Sequence, residues 1–133
     1  MSLEVEVLDA DLAAGRPDLP AEGEIIRLVS LAVATAGVRD GHVAVAFVAA
    51  DRIAALNAEH RGKEGPTDVL SFPIDEAEED VIGPRELGDV VICPPHTDDL
   101  REAIVHGALH LVGMDHETDD GEMLALQAEI LSW

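Results

Sequence analysis

Three histidines set the tightest constraint on this chain: His106 and His110 stand four residues apart inside the apolar stretch Ala103 to Gly113, and His116 follows shortly after. On a helix, side chains at i and i+4 share one face with their Cβ atoms about 6 Å apart, so the two imidazoles converge on one point. Gly113 can take the left-handed conformation that ends a helix. The chain can then fold back and bring His116 to the same point.

Three imidazoles in the pattern H-x3-H-x5-H leave the fourth tetrahedral position of a zinc ion for water, as in catalytic sites; structural sites fill all four, usually with thiolates. Cys93, the one cysteine, cannot supply such a set. A lone histidine on a helix usually ligates nothing, but three at this spacing on an otherwise apolar element point to metal. One zinc ion per chain is the expected cofactor. Zincin peptidases place a glutamate directly after the first histidine as general base, and here that position is Gly107. The metal helix is therefore zincin-like while the peptidase chemistry is not written into it. Glycine inside a helix costs roughly 1 kcal/mol relative to alanine. Close approach of a backbone or substrate would explain it, and so would tight helix packing.

The remaining sequence supplies a frame. At 133 residues the chain has the size of one domain, with residues 1–133 taken as a single unit. Residues 3 to 8 alternate as a half-buried strand. The spacing of Ile25, Leu28, Val29, Ala32, Val33 and Ala36 predicts a helix stopped by Gly37. His42 to Ala49 reads as a central strand covered on both faces. A short helix capped by Asp51 should close at Gly62. Val69 to Phe72 ends at Pro73, which places that strand at or near an edge. Residues 74 to 86 read as a solvated acidic loop, with Asp75 to Asp80 its most charged part. Leu87 to Cys93 gives a fourth strand. Thr97 or Asp98 should cap a buried helix reaching Gly113, and a last helix from Asp119 should bury Met123, Leu126 and Ile130. The expected fold is α/β (α+β): a small mixed four-stranded sheet packed with about four helices.

Charge narrows the function classes. With 28 acidic against 8 basic residues the formal net charge is −20, which opposes nonspecific binding to nucleic acid. Scarce aromatics leave few platforms for stacking bases. No apolar run is long enough to span a membrane. A lone cysteine and an opening without signal-peptide pattern favour a reducing cytoplasm. His42, His60 and His96 are expected to be solvated, and Cys93 a buried thiol at a strand end.

The segment from His106 to His116, HGALHLVGMDH, resembles the signature of the YbeY family, bacterial endoribonucleases of ribosomal RNA maturation. Asn57 to Lys63 (NAEHRGK), Thr67 to Pro73 (TDVLSFP), Leu87 to Ile92 (LGDVVI) and Glu122 to Leu131 resemble its other blocks, in the same order. The resemblance implies a zinc-dependent, single-strand endoribonuclease acting on the 3′ end of small-subunit ribosomal RNA and in ribosome biogenesis and quality control. It also implies contact with the small ribosomal subunit or its proteins and no membrane partner. The family's zinc ligands fall on His106, His110 and His116, and its functionally important arginine on Arg61. A guanidinium presents a planar fork for two phosphate oxygens and stays charged, so Arg61 can seat phosphate and offset transition-state charge. Zinc would acidify a water molecule and polarise a phosphoryl oxygen. Asp68, Asp89 or Asp115 could orient a ligand imidazole, and Ser71 is a further cleft candidate rather than a nucleophile, since no nucleophile elbow surrounds it.

Two departures stand out. The interval from Cys93 to His106 is shorter than the family's, and the expected basic cleft has only Arg52, Arg61, Lys63, Arg85 and Arg101 to draw on. Two alternatives stay open: hydrolysis of peptide or another small substrate on the same frame, and a zinc-stabilised, non-catalytic module that docks on a ribosomal particle.

Overall fold

A computed structural model of the chain describes residues 3–38, 40–73, 86–114 and 120–132. Its strands are β1 (Leu3–Leu8), β2 (Gly41–Phe47), β3 (Val69–Pro73) and β4 (Glu86–Ile92), and its helices α1 (Glu22–Ala34), α2 (Ala50–Arg61), α3 (Leu100–Leu111) and α4 (Glu122–Ser132). The sheet runs β1-β2-β4-β3. β1 pairs parallel with β2 and β2 parallel with β4, while β3 lies antiparallel on the β4 edge. The expected α/β architecture with its mixed four-stranded sheet is present.

Strand alternation assigns the two faces. Val43, Val45, Phe47, Val90 and Ile92 point into a core shared with α1, α3 and α4. Val91, between Val90 and Ile92, points the other way and packs with Leu70, Cys93 and Ile53 of α2. β2 lies in the middle and is buried at five of its seven positions, which explains its near-continuous apolar run. β1 is an edge and alternates between half-buried and exposed. β3 holds the other edge, where Pro73 leaves no central ladder broken.

Local signals set two of the helix ends, the start of α3 and the close of α2. Gly62 closes α2 at φ 67, a conformation favourable to glycine. The N-terminal cap of α2, however, is Ala49 without a side-chain hydrogen bond; Asp51 lies inside the first turn and accepts from the Arg52 N–H at 2.9 Å. The cap of α3 is Asp99, whose carboxylate accepts from the Glu102 N–H at 3.1 Å, rather than Thr97 or Asp98. Thr97 is buried and donates to the Cys93 carbonyl at 2.7 Å, closing a short 3-10 turn over Pro94–His96. A second 3-10 turn, Ala10–Ala13, follows β1. In α4 the buried positions are Met123, Gln127 and Ile130; Leu126 is only partly buried. The acidic stretch Asp75 to Asp80 and the helix start at Asp119 lie outside the described residues.

Candidate metal centre

α3 is held at three places. Its start is fixed by Asp18, which accepts from the Leu100 N–H at 3.0 Å and is itself gripped by Arg16. The same guanidinium donates to the carbonyls of Pro94 at 2.7 Å and Thr97 at 2.9 Å, so one side chain pins the link between β4 and α3. Its middle lies tight on the sheet at Gly107. A Cβ there would stand 2.5 Å from Val90 Cγ1, closer than real side chains approach, and a tight 3.2 Å from Val69 Cγ2. Helix packing accounts for this glycine. Ser71 reinforces the contact by donating to the Gly107 carbonyl at 2.8 Å. Beyond the helix end Gly113 turns the chain at φ 93.

His106 and His110 lie on one flank of α3 beside this contact, both half-buried. Their Nε2 atoms are 3.1 Å apart and their rings cross at 78° with centroids 4.7 Å apart. The other ring nitrogens are engaged elsewhere: His110 Nδ1 with the Met114 carbonyl at 2.8 Å, and His106 Nδ1 with Gln127 Oε1 at 2.8 Å. With Nδ1 of each ring donating to these oxygens, both Nε2 lone pairs would be available to a cation seated between the rings. A tetrahedral zinc with bonds of about 2.1 Å would hold two ligand nitrogens about 3.4 Å apart, close to the observed separation. The spacing of these two nitrogens suits a zinc ion. His116 and Asp115 lie outside the described residues, and among the described residues no group of three or more His, Cys, Asp or Glu side chains could hold a metal.

A cleft of about 320 Å³ opens beside His106, with Asp68, Thr97, Asp98, Asp99, Glu102 and Gln127 in its wall. Its carboxylates make it a poor seat for phosphate. Asp68 is exposed, and its carboxylate accepts from the Val69 N–H at 2.8 Å and the Thr67 hydroxyl at 3.2 Å, which shapes the start of β3. Asp89 lies on β4 with Val91, on the sheet face opposite α3. Burial, then the neighbouring Glu86 charge, raises its carboxyl above the usual range. Arg61 is the last residue of α2, exposed, and forms no ion pair with any described residue. The structure therefore joins His106 to His110 directly and Asp68 to the same cleft, while Ser71 serves the helix backbone.

Among the other histidines, His96 and His60 are exposed, His60 edge-on to Phe72 with centroids 4.8 Å apart. His42 is not simply solvated. It sits half-buried between Glu86 at 2.8 Å and Glu6 at 3.3 Å, and the Glu86 hydrogen bond raises its pKa. Cys93 is fully buried at the end of β4, and burial pushes its thiol up. Sequence reasoning looked to carboxylates for the partner of a ligand imidazole and missed Gln127. The available signal was an amide on the apolar face of the last helix. The Met114 carbonyl and the Arg16 clamp left no mark in side-chain patterning.

Comparison with known proteins gives one consistent result. A family model described as Endoribonuclease YbeY matches residues 21–133. A relative from Geobacillus thermodenitrificans named Endoribonuclease YbeY is 42% identical over 127 residues, covering 80% of this chain and 81% of the relative. Relatives of the same name from Rubrobacter xylanophilus and Bacillus subtilis are 37% and 34% identical, each covering 98% of this chain and 96% and 95% of their own lengths. The solution structure of TM1509 from Thermotoga maritima superposes with a TM-score of 0.52 at 28% identity, over 96% of this chain and 87% of that one.

Proposed function

The chain belongs to the YbeY endoribonuclease family, and from that premise we propose that it hydrolyses single-stranded RNA with the help of one zinc ion, ribosomal RNA precursors being the substrate. It is a hydrolytic endoribonuclease. The observation that carries the zinc assignment is the 3.1 Å approach of the His106 and His110 Nε2 atoms, each ring being held through its other nitrogen. His116 is the third ligand in this reading, supported by the turn at Gly113 that brings the Met114 carbonyl to His110 Nδ1, two residues before it.

Bound zinc supplies Lewis acidity toward a phosphoryl oxygen and acidifies water near neutral pH. The chain's own residues do the rest. His106, His110 and His116 hold the ion. Gly107 and Ser71 keep α3 seated so that the two helical imidazoles stay in register. Arg61 receives the phosphate and offsets charge as it grows on the oxygens, a role supported by its exposure and by the lack of a carboxylate partner among the described residues. Lys63, exposed two residues on, adds to the same cationic spot.

A net charge of −20 weakens attraction for free RNA. The small ribosomal subunit or its proteins supply the remaining affinity in this reading, and the cytoplasm is the setting. Among the described residues no helix is long and apolar enough to cross a membrane.

The test compares the wild type with Arg61→Ala and His116→Ala on single-stranded RNA and on casein. The proposal expects RNA cleavage by the wild type, its loss in both variants, and intact casein. Cleavage unchanged in both variants contradicts it.

A further inference from the structure

Met123, Gln127 and Ile130 lie on one face of α4, at i, i+4 and i+7. The two apolar residues are fully buried, and Gln127 between them is 7% exposed. An amide in such a stripe is unfavourable unless its polar atoms are paired, and a leucine or methionine would pack there without that requirement. The pairing is with His106: Gln127 Oε1 lies 2.8 Å from Nδ1.

We propose that Gln127 is a positioning residue for the metal centre. By accepting the Nδ1 proton it fixes the His106 ring in the tautomer and rotation that turn Nε2 toward Nε2 of His110. The inference rests on reading the histidines as zinc ligands. It makes the C-terminal helix a working part of the site: α4 docks through Met123 and Ile130, and that docking delivers the acceptor. His110 is served differently, by the backbone carbonyl of Met114. A change at position 127 therefore acts on one ligand and leaves the other oriented.

An amide rather than a carboxylate suits its surroundings. The adjoining cleft already holds Asp68, Asp98, Asp99 and Glu102, and a further negative charge would be costly whenever zinc is absent. With zinc bound, a carboxylate at this position would raise imidazole basicity and hold the metal at least as well.

The experiment measures zinc dissociation constants by chelator competition, together with thermal unfolding of the zinc-free forms, for wild type, Gln127→Met and Gln127→Glu. Gln127→Met is expected to bind zinc about 10–100-fold more weakly while its zinc-free form unfolds at the same temperature or higher. Gln127→Glu is expected to keep or exceed wild-type affinity. Gln127→Met binding as tightly as wild type overturns the proposal, as does a loss of zinc-free stability in both variants with affinity unchanged. Long-range 15N–1H spectra of the histidine rings in the zinc-bound wild type give a reading that depends on no variant. His106 protonated at Nδ1 and metallated at Nε2 supports the proposal; the opposite tautomer overturns it. Wild-type protein that holds no zinc removes the metal reading itself before any variant is compared.

Discussion

The hydroxyl of Ser71 donates to the carbonyl of Gly107 at 2.8 Å, tying the edge strand β3 to the middle of the metal helix. At that glycine α3 packs so tightly on β4 that an added Cβ would meet Val90 Cγ1 at 2.5 Å. Val90 is a branched side chain on an interior strand, and it cannot retreat without shifting its neighbours. Gly107→Ala gains helix propensity worth about 1 kcal/mol but overpacks the junction, which costs roughly 1–3 kcal/mol. The net expectation is loss of stability in urea, with zinc binding weakened because His106 is displaced. A Gly107→Ala protein more stable than wild type would show that the junction yields.

Removing the hydroxyl alone is milder. Ser71→Ala leaves the packing intact and deletes one partly buried hydrogen bond, which is worth about 0.5–1.5 kcal/mol. RNA cleavage per bound zinc should be unchanged, as expected of a residue that serves the backbone. A large drop in turnover at full zinc occupancy would give Ser71 a direct role.

The Arg16 clamp predicts an acid-side loss of stability. The Arg16 hydrogen bond, then that from the Leu100 N–H, holds the Asp18 carboxyl below its usual range. A carboxyl lowered in the folded state stabilises the protein above its unfolded pKa, and that contribution disappears as pH falls through the folded value. Urea midpoints of wild type and Asp18→Asn should therefore differ most near neutrality and converge as the pH falls below about 4. A gap that stays constant with pH would contradict the assignment.

His42 predicts the opposite dependence. Its pKa is raised by the hydrogen bond to Glu86, with Glu6 contributing. A raised histidine stabilises the fold fully below its unfolded pKa of about 6.5, and the contribution fades as pH rises through the folded value. Wild type should exceed His42→Gln in stability at mildly acid pH, and the difference should shrink on the alkaline side. Equal stability at both ends would show that the Glu6, His42 and Glu86 contacts carry no net energy.

Arg61 separates charge from geometry. Arg61→Ala should lower RNA cleavage about 100-fold or more, with zinc content unchanged and stability within about 0.5 kcal/mol of wild type. Arg61→Lys should recover part of the activity only, because an ammonium is a point charge and cannot fork across two oxygens. Full activity in Arg61→Lys would reduce the requirement to charge alone.

Much of this fold can be read from pattern because its elements carry their own period: β1 alternates, β2 is a near-continuous apolar run broken by His42, and Gly62 marks the end of α2. The helical pair His106 and His110 is legible for the same reason, since four residues on a helix fix where two side chains point. Contacts made across the chain are not legible. The partner of His106 is Gln127, 21 residues away on another helix, and that of His110 is a backbone carbonyl. Arg16 reaches the Pro94 carbonyl across 78 residues. The cap of α3 was misplaced because Thr97, Asp98 and Asp99 are all competent caps and tertiary packing selected Asp99; that of α2 was misplaced because the helix starts after Ala49, with no side-chain cap.

Zinc content tests the central claim most directly. Wild-type protein and His110→Ala, purified without metal-affinity steps, are measured for zinc per folded chain by plasma mass spectrometry. The account predicts one zinc per chain in the wild type and a near-complete loss in the variant. A wild type without zinc, or a variant that keeps it in full, would contradict it.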